Sequence, residues 1–388
     1  MSEVAQAPHS SPDGRIPQLR FPEFDGVWES RLLKDAVKIN PRSGELPDEF
    51  IYIDLESVKK GYLIKETQIN KIGAPSRAQR LLNKNDVIFQ TVRPYQKNNY
   101  FFNLDGDYVA STGYAQLRVL NSPEFLYQAL HTDRFVYDVM ARSTGTSYPA
   151  INSTDLSKIK LNLPTKPEQQ KIAAFLTAVD NKIEQLSTKQ VLLGEYKKGL
   201  MQQIFSQAIR FKADDGCDFP DWKEKKLGSL CEITTGKLDA NAMVKDGQYR
   251  FYTCAKEYYK IDDYAFDTDA LIVSGNGANV GYIHHYQGKF NAYQRTYVLD
   301  SFTDNIVFVK FVLDGYLHKR IMKEKNEGNT PYIVMGTLTD MKINLPSFSE
   351  QTKISNFLSS IDSKIEQVSK QLDESKQFKK ALLQQMFV

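Results

Sequence analysis

Residues 161–205 recur without a gap as residues 343–387, with 21 of 45 positions identical at a constant offset of 182. The copies share Asn162-Leu163-Pro164 with Asn344-Leu345-Pro346, and Glu168-Gln169-x-Lys171-Ile172 with Glu350-Gln351-x-Lys353-Ile354. They also share Lys182-Ile183-Glu184-Gln185-x-Ser187 with Lys364-Ile365-Glu366-Gln367-x-Ser369. An internal repeat constrains architecture more than any single residue does. Here it divides the chain into two halves, each a variable region followed by the same segment.

The repeated segment carries a helical seam. Ile172, Val179, Leu186, Leu193 and Leu200 fall seven apart, with Leu176, Ile183 and Ile204 four residues after three of them. The second copy places Ile354, Ile361, Val368 and Leu382 in register with Leu358, Ile365, Leu372 and Met386. That spacing predicts a heptad helix of roughly 37 residues in each half, interrupted by Gln190, Lys197, Ser375 and Lys379. Pro164, Pro167 and Pro346 stand before the helices, where proline is tolerated. A helix with one apolar seam needs a partner, and the other copy matches it in length and pattern. Antiparallel pairing is favoured, because parallel pairing would make the second variable region span the whole rod on its way back.

Each half opens alike, with Phe21-Pro22 and Trp28 before Arg31, and Phe219-Pro220 and Trp222 before Lys225. The middles diverge and read as mixed α/β with strands dominating. Runs at 50–55, 86–91, 108–111, 116–120, 249–253, 270–274, 281–286 and 296–299 are rich in Val, Ile, Tyr and Phe and bounded by turn residues. Residues 123–142 and 306–325 read as helices in matching places. Each leads to a glycine-containing loop, 143–149 and 326–331.

Composition removes several function classes. No run approaches the roughly 20 apolar residues of a membrane span, and residues 1–17 lack the apolar core of a secretory signal, so a cytoplasmic location is expected. Cys217, Cys231 and Cys254 include no C-x-x-C pair and suggest neither a disulfide framework nor structural zinc. The five histidines, His9, His131, His284, His285 and His318, have no metal-ligand spacing. Gly275-Asn276-Gly277-Ala278-Asn279-Val280-Gly281 superficially resembles a cofactor loop, but such a loop must open a helix, and Tyr282–Tyr286 reads as a strand. The segment is expected to be a hairpin turn, and the chain to bind rather than catalyse.

The whole pattern resembles the specificity subunit of type I restriction-modification systems, from about Pro17 onward. The resemblance rests on the Phe-Pro openings, the Asn-Leu-Pro and Glu-Gln-x-Lys-Ile motifs, and the Lys197-Lys198 and Lys379-Lys380 endings that run into Gln202-Gln203-Ile204-Phe205 and Gln384-Gln385-Met386-Phe387. It implies a non-catalytic subunit whose two target-recognition domains each read half of a bipartite duplex DNA site, spaced by the paired helices. The implied layout is a flexible segment at 1–16, recognition domains at 17–160 and 211–342, and helical spacers at 161–210 and 343–388. The fold class is then α/β: two mixed, β-rich domains and an antiparallel coiled coil with pseudo-two-fold symmetry. Implied partners are duplex DNA, two methyltransferase subunits and the restriction (motor-nuclease) subunits. S-adenosylmethionine, ATP and Mg²⁺ would sit on those partners. Exposed Lys171, Lys182, Glu184, Lys364 and Glu366 are candidates for methyltransferase docking.

Reading base edges and phosphates requires cationic, amide, hydroxyl or phenol groups on a presented surface. The first half offers Arg77 and Arg80, then Arg93, Tyr95 and Lys97, then Thr144, Thr146 and Tyr148. The second offers Lys256, Tyr258, Tyr259 and Lys260, then Asn276 and Asn279, Gln294 and Arg295, and Asn329 and Tyr332. The neighbourhoods of Arg93 and Arg295 are the leading candidates. A two-domain scaffold that binds proteins on a coiled-coil spacer is the alternative, and methyl transfer by the purified chain would point to a third, enzymatic reading.

Overall fold

A computed structural model describes residues 15–119, 121–324 and 331–388. The chain divides into two compact units, Met1–Ser187 with Lys370–Val388, and Thr188–Ser369.

In the first unit a four-stranded sheet runs Thr67–Asn70, Glu49–Ile53, Tyr108–Ser111, Ala78–Leu81, and a second runs Val37–Ile39, Tyr114–Val119, Asp86–Gln90, Tyr100–Phe102. The strand Asp86–Gln90 is buried along its whole length. Val87 and Phe89 join Leu117, Leu126, Leu130, Phe135 and Val139 in one core, while Ile88 joins Ile53, Ala110 and Tyr114 in another, as period-two alternation requires. The helix expected over 123–142 is two helices, Pro123–Ala129 and Asp133–Ala141. Thr132 breaks the run: its Oγ1 accepts from the Phe135 amide at 3.3 Å and caps the second helix.

In the second unit one six-stranded sheet runs Glu232–Thr235, Thr296–Asp300, Phe266–Ser274, Ile283–Ala292, Tyr249–Tyr252, Tyr259–Ile261. One face places Leu271, Val273, Ile283 and Leu299 against Phe308, Val312 and Leu317 of helix Ile306–Glu324. The other gathers Tyr252, Ala270, Ile272, Phe290 and Val298. The glycine segment joins two antiparallel strands as expected, and His284 and His285 pair with successive residues, Ile272 and Leu271.

The long helices span Lys166–Phe205 and Phe348–Gln385, 40 and 38 residues. In the first unit the start of one meets the end of the other, Ile172 and Leu176 packing with Leu382 and Met386. In the second unit Met201 and Ile204 share a core with Ile354 and Leu358. Both pairings are antiparallel. Two of the four polar seam residues are thereby explained: Lys379 binds Asp180 at 2.5 Å and Lys197 binds Asp362 at 2.6 Å, one ion pair made twice. No helix among the described residues is long and apolar enough to cross a membrane.

The shared Glu-Gln motif builds one buried joint in each unit. Glu168 is 1% exposed, accepts from Arg20 Nε and Nη2 at 2.7 and 2.8 Å, and accepts from Trp28 Nε1 at 3.3 Å. Glu350 is 0% exposed, accepts from Arg210 Nε and Nη2 at 3.3 and 3.0 Å, and from Trp222 Nε1 at 3.1 Å. The neighbouring Gln169 and Gln351 amides donate to the Pro164 and Pro346 carbonyls. Each Trp leads into a strand, Glu29–Leu32 or Lys223–Lys226, that pairs with the Asn-Leu strand before its helix.

One alignment of the openings changes. Phe21 packs edge-on to Phe175, and the residue that packs the same way on Phe357 is Phe211, not Phe219. The backbone agrees, since the Leu19 amide donates to the Gln385 carbonyl and the Ile209 amide to the Gln203 carbonyl.

Candidate nucleic-acid interface

In the first unit the loops singled out from sequence are tied into one edge. The Arg77 carbonyl accepts from Thr112 N, and the next residue, Gly113, accepts from both Thr91 N and Thr91 Oγ1. Ile151 N donates to the Thr91 carbonyl, Arg93 N donates to Pro149 O at 2.7 Å, and Thr144 and Ala150 exchange two backbone bonds. These bonds hold the turns of Arg77, Arg93 and Thr144–Tyr148 beside one another. Arg93 sits in the left-handed region, φ 54° and ψ 54°. A non-glycine residue there is held by its surroundings, in this case by the bond to Pro149. Its guanidinium lies 4.2 Å from the centroid of the exposed Tyr148 ring. Tyr95 and Thr146 are exposed nearby in sequence.

Two of the first-half candidates are placed differently. Arg80 is half-buried on strand Ala78–Leu81, its Nε has no hydrogen-bond partner, and burial lowers its pKa. Lys97 donates to the His131 carbonyl at 2.8 Å and to Asp133 Oδ1 at 2.7 Å, which anchors the start of helix Asp133–Ala141. Burial also pulls the His131 imidazole down to about 4, so this corner holds a neutral ring at physiological pH.

The second unit interlocks its loops around the glycine segment. Gly275 N donates to Arg295 O at 2.9 Å, Ile333 N donates to Gly275 O at 2.8 Å, and Gly277 N donates to Pro331 O. Asn276 pairs with Tyr332. Asn279 Nδ2 donates to Cys254 O at 3.1 Å, and His284 Nε2 lies 3.0 Å from Ala255 O. The Gln294 amide donates to Leu238 O. The loops carrying Lys256 and Tyr258, Asn276 and Asn279, Gln294 and Arg295, and Tyr332 thus meet at one edge. Tyr259 and Lys260 lie on the adjoining strand Tyr259–Ile261. Asn329 lies outside the described residues.

Arg250 was missed from the sequence. It occupies strand Tyr249–Tyr252, between the rings of Tyr258 and Tyr286.

Some cations of the chain are committed to ion pairs and others are not. Lys197 and Lys379 of the repeat are paired, as are Arg20 and Arg210 of the buried joints. Among the described residues Arg77, Arg93, Arg250, Lys256 and Arg295 have no carboxylate at ion-pair distance. Unneutralised guanidinium groups beside phenols and amides can donate to phosphate oxygens and to base edges.

Comparison with known proteins finds the same duplication along the chain. The Type I restriction modification DNA specificity domain matches residues 26–193 and again 220–375. The chain belongs to that family. It is 43% identical over 168 residues to the Type I restriction enzyme EcoDI specificity subunit of Escherichia coli, which covers 42% of this chain and 37% of the relative. It is 24% identical over 274 residues to the MjaVIII specificity subunit of Methanocaldococcus jannaschii, 63% of this chain and 64% of that one. In both cases the match spans less than two thirds of the relative. The fold is that of the crystal structure of a type I restriction-modification S subunit from M. genitalium, with a TM-score of 0.66 at 17% identity over 96% of this chain and 99% of the other.

Proposed function

We propose that this chain is the non-catalytic specificity subunit of a type I restriction-modification complex, reading a bipartite duplex site with one loop cluster per unit. The observation that carries the reading is the placement of unpaired arginines on interlocked loops within the non-duplicated middles, while the duplicated segment contains no arginine and joins its two copies through Lys197 with Asp362 and Lys379 with Asp180. Phosphate contacts from such cations set register, and the fixed amide, phenol and guanidinium groups discriminate bases.

Recruitment belongs to the duplicated helices. Tyr196 and Phe378 occupy equivalent positions of the two copies and are 56% and 53% exposed. A large ring exposed twice at one position suits two copies of a single partner. We assign these positions, with the flanking lysines and glutamates of the repeat, to two adenine methyltransferase subunits. In this reading the restriction subunits join that assembly, and the partners carry S-adenosylmethionine, ATP and Mg²⁺.

Selection of randomised duplexes by the full chain tests the DNA reading. The wild type is expected to enrich two short words at fixed separation. Arg93→Ala should blur one word and Arg295→Ala the other, each losing about tenfold or more in discrimination at the affected base pair. Absence of any enriched word in the wild type refutes the reading and favours the protein-binding scaffold.

A further inference from the structure

Arg250 pairs with Lys260 on one neighbouring strand and Phe290 on the other, so its backbone is fixed on both sides. Its guanidinium carbon lies 4.3 Å from the Tyr258 ring centroid and 4.2 Å from that of Tyr286. Nη1 donates to the Tyr252 hydroxyl at 3.3 Å. Two rings and one hydroxyl therefore set the plane and rotation of the group. Stacking on ring faces leaves the in-plane N–H groups available.

Three other arginines close on carboxylates, Arg20 on Glu168, Arg118 on Asp86 and Arg210 on Glu350. Arg250 closes on none among the described residues, and it is half-buried. It also borders the loop cluster. Tyr258 follows Cys254 and Ala255, whose carbonyls are held by Asn279 and His284, and the Cys254 thiol donates to the Arg295 carbonyl at 3.4 Å.

A clamped planar donor edge matches two acceptors lying side by side in one plane. Guanine presents O6 and N7 in that way on its major-groove edge. A phosphate also accepts from arginine, but it gains less from a fixed donor plane because it can be approached from many directions. We infer that Arg250 reads the major-groove edge of a guanine in the half-site contacted by the second unit, with Tyr258 and Tyr286 holding it in register. This rests on the DNA-specificity reading above.

The test is duplex selection with the full chain, comparing wild type, Arg250→Ala and Tyr258→Ala, with Arg295→Ala used to assign the half-site. Arg250→Ala is expected to make one G·C pair degenerate, with discrimination there falling ~10- to 100-fold and the other half-site unchanged. Tyr258→Ala should weaken preference at the same pair. If Arg250→Ala does not fold by circular dichroism, Tyr258→Ala decides, because its ring is exposed. An unchanged motif with uniformly weaker binding and a shallower salt dependence would mark a phosphate contact and overturn the inference. An unchanged motif at unchanged affinity would mark packing and overturn it too. A wild-type chain that selects no motif would defeat the DNA reading itself, a result distinct from loss of one position.

Discussion

Replacing Glu168 by alanine is expected to cost the first unit about 3–5 kcal/mol, the range for removing one member of a buried, hydrogen-bonded ion pair. Glu168 joins three parts of the chain: Arg20, Trp28 and the start of the first long helix. Without it, the Arg20 guanidinium has lost its acceptor at a site only 13% exposed, and the indole N–H of the buried Trp28 has lost its partner. Glu350→Ala should cost the second unit less, about 2–3 kcal/mol. Arg210 is 26% exposed, its contacts are longer, and it keeps the Phe219 and Pro220 carbonyls. The two tryptophans of the chain, Trp28 and Trp222, stand one in each joint. Urea unfolding followed by fluorescence in Trp222→Phe and Trp28→Phe backgrounds therefore reads each unit separately. Equal losses for the two substitutions, or losses under 0.5 kcal/mol, would show that the joints do not hold the units together as described.

The second large effect is expected at Gly275. A Cβ placed there would lie 2.2 Å from the Arg295 carbonyl oxygen and 3.0 Å from the Tyr297 ring. The carbonyl belongs to backbone and cannot rotate away, so Gly275→Ala must separate the two strands' ends and break the Gly275–Arg295 bond. The expected cost is about 1–3 kcal/mol, as for other forced insertions into packed regions. Because Arg295, Asn276 and Tyr332 are all tied to this glycine's neighbourhood, selectivity at the second half-site should be lost while the first half-site persists. Gly277 is a contrast. Its φ is +79° but nothing lies within 4 Å of an added Cβ, so Gly277→Ala carries only left-handed strain of about 1–2 kcal/mol. Duplex selection with both variants checks this: loss with Gly277→Ala equal to that with Gly275→Ala would mean that close approach is not what the loop requires.

Much of this arrangement could be read from the residues. The offset of 182, the heptad seam and the tryptophan openings are local patterns, and the long helices and their antiparallel pairing follow from them. The strand pairs that close each unit, Glu29–Leu32 with Lys160–Leu163 and Lys223–Lys226 with Lys342–Leu345, join residues more than 100 apart and do not show in the sequence. The polar seam residues were visible, but not their use: Lys197 and Asp362 lie 165 residues apart, and only folding shows that Asp180 and Lys379 repeat their pair. The arginines of the buried joints escaped notice because Arg20 lies eight residues before Trp28 and Arg210 twelve before Trp222. Arg250 was hidden by its place in a strand, where alternation suggests packing. Lys97 read as a loop cation, yet its charge is held by Asp133, 36 residues away. Loop chemistry shows in sequence, whereas the long-range hydrogen bonds that choose among loop cations do not.

The central claim is that two separate surfaces read two separate words. It is tested most directly by exchanging residues 31–142 for the equivalent segment of another family member and mapping the selected duplex motif. The account predicts that one word changes while the other word and the gap between them stay as they were. A change in both words, or in neither, would contradict it.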